Sequence, residues 1–338
     1  AELSRFEQQL GAAAEVLRAV GNPYPGGTPR DELLRAGKAR LFRYRPLLAD
    51  VQPIPTLLVY ALVNRASMAD LEHERSLVRG LLERGVDLHL IEWESPSPVD
   101  ATRGLDDYIN GDLARCVGAL TGRAGPIHLM GICQGGTFAL CYAALYPHQV
   151  RNLVTTVTPV DFHTRDDALS KLLTHVDLDL LGDQNLSGDL QNALFLSLRP
   201  FRLMFQKYVN LVPQLSDLEA LTTFLRMEQW IFDSPELAGR ALREFAQFFY
   251  RENRLVEGGL GIGGRAVSLA KVTMPVLNVF ASDDHLVPPA SSRALAGLVG
   301  STDYSAVEVP GGHIGIYVGS KSRRLVAETV ASWLAARQ

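Results

Sequence analysis

Long apolar runs, a basic excess, internal repeats and metal-spaced cysteines are all missing from this chain, and each absence removes a class of function. The longest apolar stretches, such as residues 56–63, fall far short of the roughly 20 residues that a membrane-spanning helix needs. Lys and Arg total 33 against 37 Asp and Glu, a net charge of -4, so the electrostatic footprint of a nucleic-acid binder is absent. Cys116, Cys133 and Cys141 are an odd set of three with neither metal-ligand spacing nor the density of a disulfide scaffold. They suit a reducing cytoplasm, where a free thiol can serve as a nucleophile. The N-terminus lacks the basic, apolar and small-residue order of a secretory signal. What remains is 338 residues, 47% hydrophobic and 21% charged, enough to bury a full core and carry an insertion.

One cysteine has an informative setting. Gly131, Ile132, Cys133, Gln134 and Gly135 follow a short apolar run (126–130) and precede a stretch of helical spacing (136–146) that stops at Pro147. A strand, a Gly-X-nucleophile-X-Gly turn and a helix make the nucleophile elbow of the α/β-hydrolase fold. A side chain at 131 or 135 would collide where strand and helix pack. The elbow would hold the Cys133 sulfur at a helix N-terminus, on a strained backbone. The helix dipole there favours thiolate over a thiol whose free pKa is about 8.5. Cys116 and Cys141 lie on helical segments and read as packing residues.

Strand-like runs fall at 40–44, 56–62, 87–93, 126–130, 152–160, 275–281 and 304–309, with helical patterns such as 70–84 and 105–120 between them. This alternation predicts a mostly parallel, doubly wound sheet. It fails between about 161 and 271, where Leu218–Phe232 and 234–251 are the clearest helices. The second would begin with Ser234 as N-cap and Pro235 in its first turn. The expected organisation is a catalytic core of residues 1–160 and 273–338, with a mainly helical cap, 161–272, inserted after the sixth strand. A cap would exclude water and shape an acyl pocket; a second structural subdomain is the plainer alternative. Within 1–28, Leu3, Phe6, Leu10, Val16 and Leu17 share a helical face ahead of a Pro/Gly-rich loop.

A thiol nucleophile needs a base, and the base needs an orienting carboxylate. This fold orders them nucleophile, acid, histidine, with the acid after a late strand and the histidine after the last. Run 275–281 is followed by Asp283, Asp284 and His285, and run 304–309 by Pro310, Gly311, Gly312 and His313. His313 is the expected base; either aspartate fits the acid, and His285 is a neighbouring imidazole. Backbone donors for an oxyanion are expected from Gln134, directly after the nucleophile, and from Val63 or Asn64 in the loop after run 56–62. No metal site is expected.

Six strings together resemble polyhydroxyalkanoate synthases: residues 131–136, 157–162, 224–228, 230–235, 284–289 and 310–317. The short chain and these particular strings look like the class III catalytic subunit, over roughly residues 40–338. The resemblance implies that Asp284, directly before His-Leu-Val-Pro, is the acid. One departure stands out: the family pattern Asn-Arg-Pro-Tyr-Met is here Asn64, Arg65, Ala66, Ser67 and Met68.

The resemblance further implies polymerisation of (R)-3-hydroxyacyl-CoA, such as 3-hydroxybutyryl-CoA, into polyester through an acyl-cysteine. Coenzyme A would be the leaving group, and no cofactor would be needed. It also implies a second, non-catalytic synthase subunit, a homodimer, and a cytoplasmic location at the surface of polymer granules. A cysteine-dependent thioesterase or lactone hydrolase would share the triad and release free hydroxy acid. A non-catalytic granule- or ligand-binding protein would have no need of Cys133, Asp284 and His313 together. Arg202 and Arg226 are candidate contacts for CoA.

Overall fold

The computed structural model describes residues 27–176, 184–198, 201–215 and 217–338, with the side chains of residues 175, 202–204 and 214 left aside. The expected N-terminal helix and the Arg202 side chain therefore lie outside the described residues. Eight strands form the main sheet: β1 (Arg30–Ala36), β2 (Ala39–Tyr44), β3 (Thr56–Val59), β4 (Leu88–Trp93), β5 (Ile127–Ile132), β6 (Val150–Thr156), β7 (Val276–Ala281) and β8 (Tyr304–Val309). Their order is β1-β2-β4-β3-β5-β6-β7-β8. From β4 to β8 across the sheet every pair is parallel, while β1 and β2 add an antiparallel hairpin at one edge. The sheet thus has the predicted mostly parallel character. β3, β5 and β7 are buried along their whole length, as apolar strands covered by helices on both faces must be.

Three local expectations fail for physical reasons. Strand β1 escapes the sequence pattern because it is an edge strand whose Arg30, Asp31, Glu32 and Arg35 face solvent or pair with charged neighbours. Such charges protect an edge from pairing with other chains. The predicted helix over 70–84 is helical only at α1 (Leu77–Leu82), because Asp70–Glu72 and Arg75–Ser76 pair first as a small hairpin. Ser76 then caps α1, its Oγ accepting the Arg79 N–H at 2.8 Å. Run 56–62 ends as a strand at Val59, and the chain turns into a loop in which Asn64 has φ +60°.

Helices α2 (Ala114–Ala124) and α3 (Gln134–Leu145) follow on the core, and α8 (Ser320–Ala335) closes the chain. Between β6 and β7 the described residues are mostly helical: α4 (Ala168–His175), α5 (Gly188–Ser197), α6 (Leu218–Phe232) and α7 (Gly239–Phe245). Helix α6 starts and stops as predicted, with Asp217 as its cap. Helix α7 starts later than predicted. Ser234 and Pro235 lie outside any helix, Leu237 pairs with Leu186 as an isolated bridge, and Ala238 is the N-cap. A close approach favours this pairing over an early helix start: a Cβ at Gly239 would lie 2.2 Å from the Gln184 carbonyl oxygen.

The later half of this insertion packs into the core. Phe245 meets Phe138 of α3 at 6.1 Å between ring centroids and Phe249 at 4.5 Å, with Phe162 against both Phe245 and Phe249. The earlier half leaves Phe201, Phe205 and Val209 exposed. Among the described residues no helix is long and apolar enough to cross a membrane, and no cluster of three or more His, Cys, Asp or Glu could hold a metal.

Candidate active site

Cys133 joins β5 to α3 with φ +53° and ψ -125°, a conformation that L residues hold only when the surroundings enforce it. The glycines show how it is enforced. A Cβ at Gly131 would lie 2.3 Å from Gly136 Cα, and one at Gly135 would lie 2.2 Å from the Val59 carbonyl oxygen. Strand and helix therefore close to backbone contact, as the motif predicts. The Cys133 N–H donates to the Thr156 carbonyl at 3.0 Å, tying the elbow to the end of β6. One step further, Val157 also has positive φ (+41°), unusual for a β-branched residue, and its N–H donates to Val279 O at 2.8 Å. Strain thus gathers at the ends of β5 and β6, on either side of the thiol.

The loop after β7 carries Asp284, buried, with Oδ1 accepting the N–H groups of Leu286 and Val287 at 2.9 Å each. Its Oδ2 accepts from His313 Nδ1 at 2.7 Å. Asp283 points outward instead, its Oδ2 accepting from Ser282 Oγ. The aspartate ambiguity in the sequence is thereby separated by geometry. With Nδ1 committed to the carboxylate, the other ring nitrogen of His313 is left for the neighbouring Cys133 thiol. Burial alone would lower the His313 pKa. The charge and hydrogen bond of Asp284, with the neighbouring Cys133, overcome it, so the ring's pKa stands well above its ordinary value.

Cys116, Cys141, His73 and His128 do not share this setting. Cys116 and Cys141 are fully buried, and burial pushes each thiol up to about 12, beyond reach of thiolate chemistry near neutrality. His128 is buried beside Asn152, with burial pushing its pKa down to about 4, and His73 pairs with Glu74 on the surface.

Opposite the elbow stands the loop that follows β3. The N–H groups of Gln134 and Val63 have no hydrogen-bond partner among the described residues, as donors reserved for a ligand oxygen would require. The Gln134 side chain instead holds the loop, its Oε1 accepting the Leu62 N–H at 2.9 Å. Asn64, the alternative donor, occupies the left-handed region that asparagine tolerates. Beside this loop lies a cavity of about 190 Å³ whose lining includes Tyr60, Asn64, Trp93 and Asp233. Ala66 and Ser67, the two departures from the resembled pattern, line it as well.

Sequence reasoning missed two tyrosines. Tyr317 is buried, and its hydroxyl lies 2.8 Å from Thr156 Oγ1, bracing the segment after His313 against the strand that holds the elbow. Tyr250, from the insertion, is half-buried against Phe162 and Phe245, and desolvation raises its pKa well above the ordinary value, with the neighbouring Asp167 and Cys133 adding to the shift. Neither leaves a local signal, since an apolar neighbourhood explains a tyrosine equally well. Arg226, considered for CoA, is engaged by Glu72.

A sequence profile for the alpha/beta hydrolase fold matches residues 66–320. Proteins named poly(3-hydroxyalkanoate) polymerase subunit PhaC are similar across nearly the whole length. That of Allochromatium vinosum is 48% identical, with 98% of this chain and 96% of the relative covered. Those of Thiocystis violacea (44%; 98% and 95%) and a Synechocystis strain (45%; 93% and 86%) follow. Solved structures share the fold at far lower identity. A bacterial membrane phospholipase A aligns at TM-score 0.56 and 15% identity over 97% of this chain and 92% of that one. A Thermogutta terrifontis esterase aligns at 0.52 and 15% over 91% and 98%.

Proposed function

The chain belongs to the PhaC family of poly(3-hydroxyalkanoate) polymerase subunits, acyltransferases of the α/β-hydrolase fold, and from that premise we propose that Cys133, His313 and Asp284 polymerise (R)-3-hydroxyacyl-CoA, with 3-hydroxybutyryl-CoA as the expected substrate. The observation that carries this reading is the 2.7 Å contact of Asp284 with His313, set against a thiol at a positive-φ elbow.

His313 takes the Cys133 proton, and Asp284 orients and stabilises the resulting imidazolium. The thiolate attacks the thioester carbonyl, and the developing oxyanion is received by the N–H of Gln134 with that of Val63 or Asn64. Collapse expels the CoA thiolate, which takes the proton from His313 and leaves an acyl-Cys133. One thioester replaces another of similar energy, so the acyl group stays activated. His313 then accepts the proton of a 3-hydroxyl group as its oxygen attacks the acyl-cysteine. An ester forms and the Cys133 sulfur is released for the next cycle. Near the thiol Tyr317 is buried and Tyr250 packs against Phe162 and Phe245, which supports a site that excludes water and so favours transfer over hydrolysis.

In this reading residues 161–272 serve as a cap, the reaction uses no cofactor, and CoA is a product. A second, non-catalytic subunit, self-association as a homodimer and a place at the granule surface in the cytoplasm belong to the same proposal. The test is CoA release from (R)-3-hydroxybutyryl-CoA by wild type and Cys133→Ala, with the acyl product identified and the second subunit both present and omitted. Insoluble polyester from wild type, lost in the variant, is expected. Free 3-hydroxybutyrate as the product would replace the synthase reading with a thioesterase.

A further inference from the structure

The loop bearing Val63 and Asn64 is held from outside the core as well as by Gln134. Ser234 Oγ contacts Asn64 Oδ1 and lies 2.6 Å from Asn192 Oδ1 in α5. One hydroxyl carries one hydrogen, so it cannot donate to both oxygens. Asn192 Nδ2, meanwhile, is buried without a partner among the described residues. Exchanging oxygen and nitrogen of the Asn192 amide, which have the same shape, removes the double donation and gives the buried Nδ2 an acceptor, leaving the oxygen rather than a donor at the unpaired position. Asn192 Nδ2 then donates to Ser234 Oγ, and Ser234 Oγ donates to Asn64 Oδ1.

Adjoining contacts run between the same two segments. Trp230 Nε1 donates to the Arg65 carbonyl at 2.7 Å, and Arg65 Nε pairs with Asp233 at 2.9 Å. Helix α5 also presses on Ser234, since a Cβ at Gly188 would lie 2.0 Å from the Ser234 carbonyl oxygen. Two of the sequence strings singled out above, 64–68 and 230–235, thus meet in space with the φ +60° residue between them.

We propose that Ser234 is a positioning residue for the oxyanion loop: the Asn192–Ser234–Asn64 relay holds Asn64 in its left-handed conformation, so the oxyanion site is complete only while α5 and the end of α6 are seated on the loop. This rests on the reading that the loop supplies an oxyanion donor. It gives the insertion a part in assembling the reaction centre, beyond covering it. The elbow does not depend on the relay, because its contacts lie within the core.

The experiment compares wild type, Ser234→Ala, Asn64→Gly and the double variant by two measurements on the whole protein. One is the rate of acylation by (R)-3-hydroxybutyryl-CoA, followed as CoA release with kcat and KM separated. The other is alkylation of Cys133 by iodoacetamide, which needs the nucleophile and its base but no oxyanion donor. Ser234→Ala should slow acylation about tenfold to a hundredfold, mainly in kcat, and leave alkylation unchanged. Glycine adopts φ +60° freely but offers no side chain to the relay, so adding Ser234→Ala to Asn64→Gly should cause no further loss. Normal acylation in Ser234→Ala, a parallel fall in alkylation, or additive losses in the double variant would each overturn the proposal. Wild type that released no CoA while alkylating normally would overturn the synthase reading, and this inference with it.

Discussion

At the elbow, every group that fixes Cys133 comes from the sheet and the helix it joins: the glycine contacts at 131 and 135, and the N–H donated to Thr156. At the loop opposite, Asn64 is fixed by Ser234 and Arg65 by Trp230 and Asp233, all from the insertion and more than 160 residues away along the chain. The first half of the site is as rigid as the core that makes it. The second, tied to the core by Gln134, depends also on the seating of α5 and α6, whose surroundings leave Phe201, Phe205 and Phe232 exposed. A nucleophile can be carried by the core alone, while the loop that faces it is tied to a segment distant in sequence.

That contrast is open to direct attack. Asp284→Asn, which keeps the shape of the buried hydrogen bonds but removes the charge from His313, should lower kcat about 10³- to 10⁴-fold with the fold intact. Steady-state kinetics beside a circular-dichroism melt would check it; a loss below tenfold would remove Asp284 from the mechanism. Gly135→Ala strikes the elbow through packing. Its Cβ would press on the Val59 carbonyl, so a stability loss of about 3 kcal/mol or more is expected in urea unfolding. A neutral result would mean that strand and helix close less tightly than backbone contact requires.

A smaller effect sharpens the electrostatics of the core-built half. Because the folded state raises the His313 pKa, the proton on its ring stabilises the fold fully below about pH 6.5, the ordinary histidine value, and that contribution fades as pH rises through the raised value. The stability gap between wild type and His313→Gln should therefore be wider at pH 6 than at pH 9. A gap that is flat or widens with pH would show the ring to be neutral in the folded protein.

How much of this was legible follows the same division. The elbow announces itself because glycine is demanded at fixed offsets from the nucleophile, and Asp284 and His313 follow strands whose apolar runs are plain. Strand β1 hid because an edge strand wears charge where an inner strand wears valine. Ser234 followed by Pro235 imitates a helix start so well that local rules chose a cap. The structure instead spends the Ser234 hydroxyl on Asn64 and Asn192, contacts separated by 170 and 42 residues. Polar contacts of that reach leave no periodicity, and composition carries no trace of them. Loop 63–64 could be named from its place after β3, but what holds it could not.

The central claim is that acyl groups pass through Cys133. Brief mixing of the protein with (R)-3-hydroxybutyryl-CoA, acid quenching and peptide mass spectrometry tests it most directly. The account predicts hydroxyacyl units, single or oligomeric, on the peptide containing Cys133, with none on that peptide in Cys133→Ala. CoA release at the wild-type rate from Cys133→Ala, or the adduct on another residue, would contradict it.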